Sequence, residues 1–285
     1  MRAGLLSIAI SAAISACSFQ PGTAPGDATP NDAIDGSTVL DTDGDGLVDA
    51  SDNCPERANP EQRDFDGDTH GDLCDRCPHL PDPSDPDGDD DGVGDPCDPR
   101  PSAGGDRQVL WEGFDDPATT AAWIASGGTW SVSDGVVTQS DANTNRVTFG
   151  PDLIVQVAQV TAQVRPLAFN ANPRAVGVRA GVDTDRNYVC FTGNNGANVV
   201  YAGSTWPPTN NPSGATPWNG NYALGEPIRL DQRLDGNDNT CIATDAMGVQ
   251  GKHLEPEGPT AGKIGLATQG ASASFEYLFV VEIGT

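Results

Sequence analysis

Apolar residues are distributed along this chain in three different ways. Residues 4–16, GLLSIAISAAISA, are an unbroken apolar run, whereas residues 18–40, SFQPGTAPGDATPNDAIDGSTVL, hold almost none. From about residue 106 apolar and polar positions alternate. Val176, Val178, Ala180 and Val182 share one phase; so do Ile228, Leu230 and Leu234, and again Phe275, Tyr277, Phe279, Val281 and Ile283. A period of two predicts half-buried strands. In LIVQVAQVTAQV the phase slips between Val157 and Val160, which predicts a bulge or the meeting of two strands. Turn signals such as Ser133-Asp134-Gly135 and Asp235-Gly236 separate the runs, and no stretch keeps a helical period. Residues 106–285 therefore read as an antiparallel β-sandwich, and the chain as all-β.

The first run is too short to cross a bilayer, and with Arg2 ahead of it reads as a secretory signal over residues 1–16. Ile14-Ser15-Ala16-Cys17 resembles the bacterial lipobox. That resemblance implies cleavage before Cys17 and lipidation of its thiol, and Ser18 is compatible with the outer membrane or cell surface. An ordinary signal with a chance cysteine is the alternative. Residues 17–40 cannot bury enough apolar surface to offset the entropy of ordering, so they read as a flexible tether.

Charge narrows the partners. The chain has 41 acidic and 15 basic residues, net -26, and only two lysines. Phosphate backbones require clustered cations, so nucleic acid is excluded as a partner. Of the acids 33 are Asp and 8 are Glu. A helical solubilising surface would use Glu freely, because Asp is a poor helix former. Asp here serves as turn residue or oxygen ligand.

The Asp residues concentrate between 41 and 98, where 20 acids face 3 basic residues, and they repeat with a period of 23. Asp41, Asp43 and Asp45 are followed by Asp49 and Asp52; Asp64, Asp66 and Asp68 by Asp72 and Asp75; Asp87, Asp89 and Asp91 by Asp95 and Asp98. Cys54 and Cys77, and likewise Cys74 and Cys97, keep the same offset. A solvated acidic tail requires neither regularity. Carboxylates at positions 1, 3, 5, 9 and 12 of a loop are the donors a hard cation such as calcium takes, several ions in all. Position 6 needs positive φ; Gly46 and Gly92 supply it, while Thr69 does not. Cys-Pro and Pro-Asp-Pro flanks exclude the helices of an EF-hand. His70 and His79 lie among oxygen donors and read as bystanders rather than zinc ligands.

Asp52-Asn53-Cys54-Pro55, Asn59, Gln62, Asp64-Phe65-Asp66-Gly67-Asp68, Gly71-Asp72-Leu73-Cys74-Asp75 and Gly94-Asp95-Pro96-Cys97-Asp98 together resemble the thrombospondin type 3 repeat, over residues 41–100. The resemblance implies a chain wrapped around a row of calcium ions with little core, and disulfides Cys54–Cys74 and Cys77–Cys97. Four cysteines by themselves allow three connectivities. A segment this acidic would repel itself without metal, so calcium is expected to act as a folding ligand. Thr69 and the stretch PHLPDPSDP depart from the family pattern.

Glu112-Gly113-Phe114-Asp115, Thr129-Trp130, Asn187-Tyr188 and the C-terminal Phe275-Glu276-Tyr277-Leu278-Phe279 resemble the concanavalin A-like jelly roll of laminin G-type and glucanase-related domains. Cys190 and Cys241 are expected to pair in an exported protein. Hydrolases of this fold carry a Glu-x-Asp-x-Glu run, which is missing; Glu255 with Glu257 and Glu276 with Glu282 read as solvated, and His253 has no catalytic context. The domain is expected not to be an enzyme. Trp206, Trp218 and Tyr222 lie in a Pro- and Asn-rich loop suited to stacking on sugars, or else cap the sandwich edge. Trp111, Trp123 and Trp130 are core candidates. The resulting expectation is a surface lipoprotein whose calcium-stiffened stalk presents a jelly roll to a glycan or another surface ligand. A purely structural spacer and a glycan hydrolase are the other readings.

Overall fold

Two antiparallel sheets make the sandwich. In a computed structural model the described residues are 40–284, apart from 144–146, 171–173, 183–186, 195–197, 204–214 and 257–260. Cys17, Trp206 and the proposed signal and tether therefore lie outside the described residues. One sheet runs Gln250–Glu255, Asn239–Asp245, Ile228–Leu234, Ala158–Phe169, Ala271–Glu282, Val136–Gln139, Trp130–Ser133, with Arg107–Glu112 also paired to Ala271–Glu282. The other runs Thr216–Pro217, Asn198–Gly203, Asn187–Asn194, Arg174–Val182, Gly265–Gln269, Val147–Gly150, Ile124–Ser126. Among the described residues there is no helix. Sequentially distant strands lie side by side in both sheets, which is the jelly-roll arrangement.

The alternating residues face as the period requires. Ile228, Leu230 and Leu234 are fully buried against Val176, Val178 and Ala180 of the opposite sheet. Each such side chain contributes about 1.5–3 kcal/mol by leaving water. Cys190–Cys241 joins the sheets across this core, with a Cα–Cα distance of 5.0 Å. The phase slip marks two strands: Ile154–Val155 pairs with Gly262–Lys263 in a small separate sheet, and Ala158–Phe169 enters the large one.

The C-terminal strand departs from the half-buried expectation. A register shift between Phe275 and Tyr277 changes its phase. Phe275, Leu278 and Val280 face the sandwich core. Tyr277, Phe279 and Val281 face the other way, into a second cluster with Cys77, Val93, Cys97, Leu80 and Trp111. Both faces of the strand are thus buried, one by the opposite sheet and one by the Asp-rich repeats.

Residues 40–284 consequently belong to one compact unit, and the expected projecting stalk is corrected to a repeat array laid along the outer face of a sheet. The reason is apolar area: Tyr277, Phe279 and Trp111 would be left in water by a detached array. Phe65 of the second loop sets its ring 5.3 Å from Trp111 and 5.5 Å from Tyr277, both edge-on. Arg233 Nη1 donates to the carbonyl of Pro99 at 3.1 Å, and Arg63 stands 3.6 Å from the Asp115 carboxylate.

Candidate metal centre

The three Asp loops repeat one hydrogen-bond pattern. The carboxylate at position 1 accepts the amide of position 6: Asp41 from Gly46 at 3.2 Å, Asp64 from Thr69 and Asp87 from Gly92, both at 3.0 Å. The carboxylate at position 5 accepts from position 7, so that Asp45 takes Leu47, Asp68 takes His70 and Asp91 takes Val93. The carboxylate at position 12 accepts from the amide two residues on: Asp52 from Cys54, Asp75 from Cys77, Asp98 from Arg100. Short Asp side chains bonding to nearby amides hold such turns without helices. The disulfides Cys54–Cys74 and Cys77–Cys97 tie the second and third loops, with Cα–Cα distances of 5.6 and 5.7 Å.

Backbone sign explains the glycines. Position 6 has positive φ in all three loops: Gly46 at 99°, Thr69 at 90° and Gly92 at 92°. Thr69 therefore adopts the conformation that its β-branch disfavours. Position 4 is left-handed as well, in Gly44, Gly67 and Asp90, a requirement the sequence reading missed although Gly44 and Gly67 signal it.

Positions 1, 3 and 5 converge. One oxygen from each of Asp41, Asp43 and Asp45 lies within 4.8 Å of the others, and the same holds for Asp64, Asp66, Asp68 and for Asp87, Asp89, Asp91. At position 3 every loop has a buried oxygen without a hydrogen-bond partner: Oδ2 of Asp43, Oδ2 of Asp66 and both oxygens of Asp89. Burying an unpaired carboxylate oxygen costs free energy, and a cation removes that cost. The donor set is oxygen throughout, so these residues fit a hard dication and do not fit zinc. His70 Nδ1 reaches Asp68 at 3.5 Å, and His79 is packed among aromatic rings; neither joins a cluster among the described residues.

Position 9 is not brought into these clusters. Asp49, Asp72 and Asp95 instead accept the amide of position 2, from Thr42, Phe65 and Gly88, each at 2.8 Å. Their oxygens close the loop. Of the position 12 residues, Asp98 joins a fourth cluster with Asp91 and Asp106.

Crowding raises several of these groups. Burial, then Asp68, pushes Asp66 up to about 6; burial foremost pushes Asp75 and Asp98 up to about 7. Burial also raises Asp43.

Of the two readings of the aromatic loop, Trp218 and Tyr222 take the capping one. Trp218 is 4% exposed and donates its Nε1 hydrogen to the carbonyl of Val249 at 3.2 Å; Tyr222 is 7% exposed and stacks on Phe169 at 5.1 Å. Both rings fold back over the sandwich because burying their large apolar area outweighs exposure. No free ring face remains on either. A different concavity lies between repeats and sandwich, about 500 Å³, lined by Arg57, Arg63, Gln62, Gln108, Trp111 and Asp115 among others. Trp123 and Trp130 pack on Phe149, at 5.2 and 5.4 Å, as the core reading expects.

The family model of the thrombospondin type 3 repeat matches residues 40–62 and 62–85. Those residues are thrombospondin type 3 repeats, followed by an all-β jelly roll. No curated protein sequence matches the chain. Solved structures similar to it include the carbohydrate-binding module CBM66 from Bacillus subtilis, at 11% identity and TM-score 0.41, covering 56% of this chain and 94% of that one. Peanut lectin is similar at 10% identity and TM-score 0.45, covering 64% and 100%, and the Lotus tetragonolobus seed lectin at 10% and 0.47, covering 63% and 100%. At these values nothing about ligand follows from them.

Proposed function

We propose that this chain is an exported, lipid-anchored calcium-binding protein whose repeat array braces a non-catalytic jelly roll that binds a glycan or another surface ligand. The observation that supports calcium is the threefold recurrence of a buried, partnerless oxygen at position 3, facing the carboxylates of positions 1 and 5. Asp41, Asp43 and Asp45, with their counterparts in the other two loops, would hold the ions. Bound calcium supplies charge neutralisation. The chain's own work is to present carboxylates already oriented by the amides of positions 6 and 7.

Anchoring rests on residues 4–16 and Cys17. The outer membrane or cell surface is the location this implies. Glu276 is engaged by Arg165 and Gln163, and Glu282 by Arg107 at 2.6 Å, so both are paired rather than solvated as the sequence suggested, and neither is offered as a hydrolytic carboxylate in this reading. The ligand surface of this reading is the concavity with Arg57 on the repeat wall and Gln108 and Trp111 on the sandwich wall, the Gln62 amide being spent on Asn53, Asp52 and Asn59. An amide and a guanidinium group beside an indole suit hydroxyl-rich ligands. Since one wall belongs to the repeats, binding should require calcium.

A glycan array and calorimetry on the full chain, with calcium and with chelator, test this reading. Saturable binding that is lost on chelation and weakened at least tenfold by Gln108→Ala is expected. Calcium uptake without any glycan bound would instead favour the structural spacer.

A further inference from the structure

In the first two loops the second oxygen of position 5 accepts an amide from fourteen residues further on. Asn59 donates to Asp45 Oδ2 at 2.9 Å and Asp82 to Asp68 Oδ2 at 2.8 Å. Each loop is thereby joined to the segment that follows it. The third loop has no repeat after it, yet Asp91 Oδ2 accepts an amide in the same way, at 2.7 Å, from Asp106. Asp106 stands immediately before the strand Arg107–Glu112, so the sandwich itself provides the continuation.

Asp106 brings a carboxylate with it. Its side chain is completely removed from solvent, and Oδ2 has no hydrogen-bond partner. Oδ1 accepts from Arg100 Nη2 at 2.5 Å, from Arg100 Nε at 2.9 Å and from the Gly284 amide at 2.8 Å. Asp98 is half-buried, with Oδ1 accepting the Arg100 amide at 2.6 Å and Oδ2 buried without a partner. One oxygen from each of Asp91, Asp98 and Asp106 lies within 4.8 Å of the other two. Three carboxylates, one buried and two half-buried, against the single guanidinium of Arg100 leave a formal charge of -2. Like charges this close repel unless a cation or protons lie between them.

We infer that Asp91, Asp98 and Asp106 form a fourth, seam site for a divalent oxygen-preferring cation of the calcium class, with one ligand supplied by the sandwich. The inference rests on the reading that the repeats bind calcium, and goes beyond it, because Asp106 belongs to no Asp repeat. All donors are carboxylate oxygens, as calcium prefers. An open cleft of about 360 Å³, lined by Asp91, Asp106, Arg107 and Glu282 among others, gives an ion a way in. Through Asp106 and Gly284 the ion would tie the third loop to the first strand and to the chain just beyond the last, Ala271–Glu282. Loading the repeats then stabilises the sandwich, and both unfold in one transition.

The test is calcium calorimetry on the full chain and its Asp106→Asn variant, with terbium-soaked crystals of the wild type. Asparagine keeps the acceptor facing Gly284 and removes the charge. One ion fewer in the variant, with circular dichroism unchanged, and an anomalous peak between Asp91, Asp98 and Asp106 are expected. An unchanged ion count, or peaks at the three loop clusters with none at the seam, overturns the site while leaving the calcium reading intact. Asp41→Asn, far along the array, serves as the control that loses loop uptake but keeps the seam peak. No uptake by the wild type overturns both.

Discussion

His79, from the second repeat, sets its ring 4.7 Å from that of Phe279 on the long C-terminal strand. It also lies 5.0 Å from Tyr277 and stacks at 6.4 Å on Trp111. An imidazole thus serves as an apolar plug between repeats and sandwich, and its Nδ1 is buried without a partner. Burial, helped by Arg229, pushes its pKa down to about 3 from the ordinary 6.5. The sign follows: above pH 6.5 His79 is neutral in both states, whereas below it the unfolded chain takes a proton that the native fold refuses. Stability is lost as pH falls from about 6.5.

His79→Phe keeps a flat ring and discards both liabilities. The variant is expected to be more stable than wild type by about 1 kcal/mol at pH 7, from the unpaired nitrogen, with a further gain of about 2 kcal/mol at pH 5 from the missing protonation. Denaturant unfolding of both proteins at the two pH values measures it. A difference that does not grow on acidification would show that His79 titrates freely.

Calcium affinity should depend on pH through Asp66 and Asp98, which belong to the oxygen clusters. With burial as the leading cause, Asp66 is raised to about 6 and Asp75 and Asp98 to about 7. A raised carboxylate favours the protonated metal-free fold, which therefore gains stability as pH falls through 7 toward the ordinary value near 3.8. Ion binding requires Asp66 and Asp98 to be ionised. Apparent calcium affinity is expected to weaken roughly tenfold or more from pH 7.5 to 5.5, with proton release on binding near neutrality. Calorimetry in buffers of different ionisation enthalpy reads that release; flat affinity with no released proton would count against these shifts.

What the sequence made legible depended on whether a residue's role is local. The Asp and Cys period was readable because each loop is closed within itself, by bonds such as Gly46 to Asp41 and Cys54 to Asp52. The strands Ile228–Leu234 and Arg174–Val182 were readable from the alternation of core residues. The docking of repeats on the sheet was not, because Tyr277, Phe279 and Val281 look like ordinary core positions until the bulge after Phe275 turns them outward. Trp218 and Tyr222 misled because a polar loop does not tell which way its rings fold. Asp106 was missed for being outside the repeat, though its spacing from Asp91 nearly copies that of Asn59 from Asp45 and Asp82 from Asp68.

Thr69 is the position where local sequence and loop geometry disagree, and it yields the sharpest prediction on the second loop. Its φ of 90° matches Gly46 and Gly92, and its amide donates to Asp64 Oδ2 at 3.0 Å just as theirs do to Asp41 and Asp87. The backbone is therefore held left-handed by the hydrogen bond despite the β-branch, at a strain of about 1–3 kcal/mol. Thr69→Gly relieves the strain, keeps the amide and adds about 0.5–1 kcal/mol of chain entropy to the unfolded state. A net gain of about 1 kcal/mol is expected, a rise of roughly 2–4 °C in Tm for a unit of this size, when melting is followed in saturating calcium. Gly92→Thr should lower Tm by a similar amount, since it puts the same strain into the third loop. If both changes leave Tm unmoved, position 6 does not carry the strain and the left-handed turn is set elsewhere, with Asp90 at position 4, φ 60°, the next residue to replace by glycine.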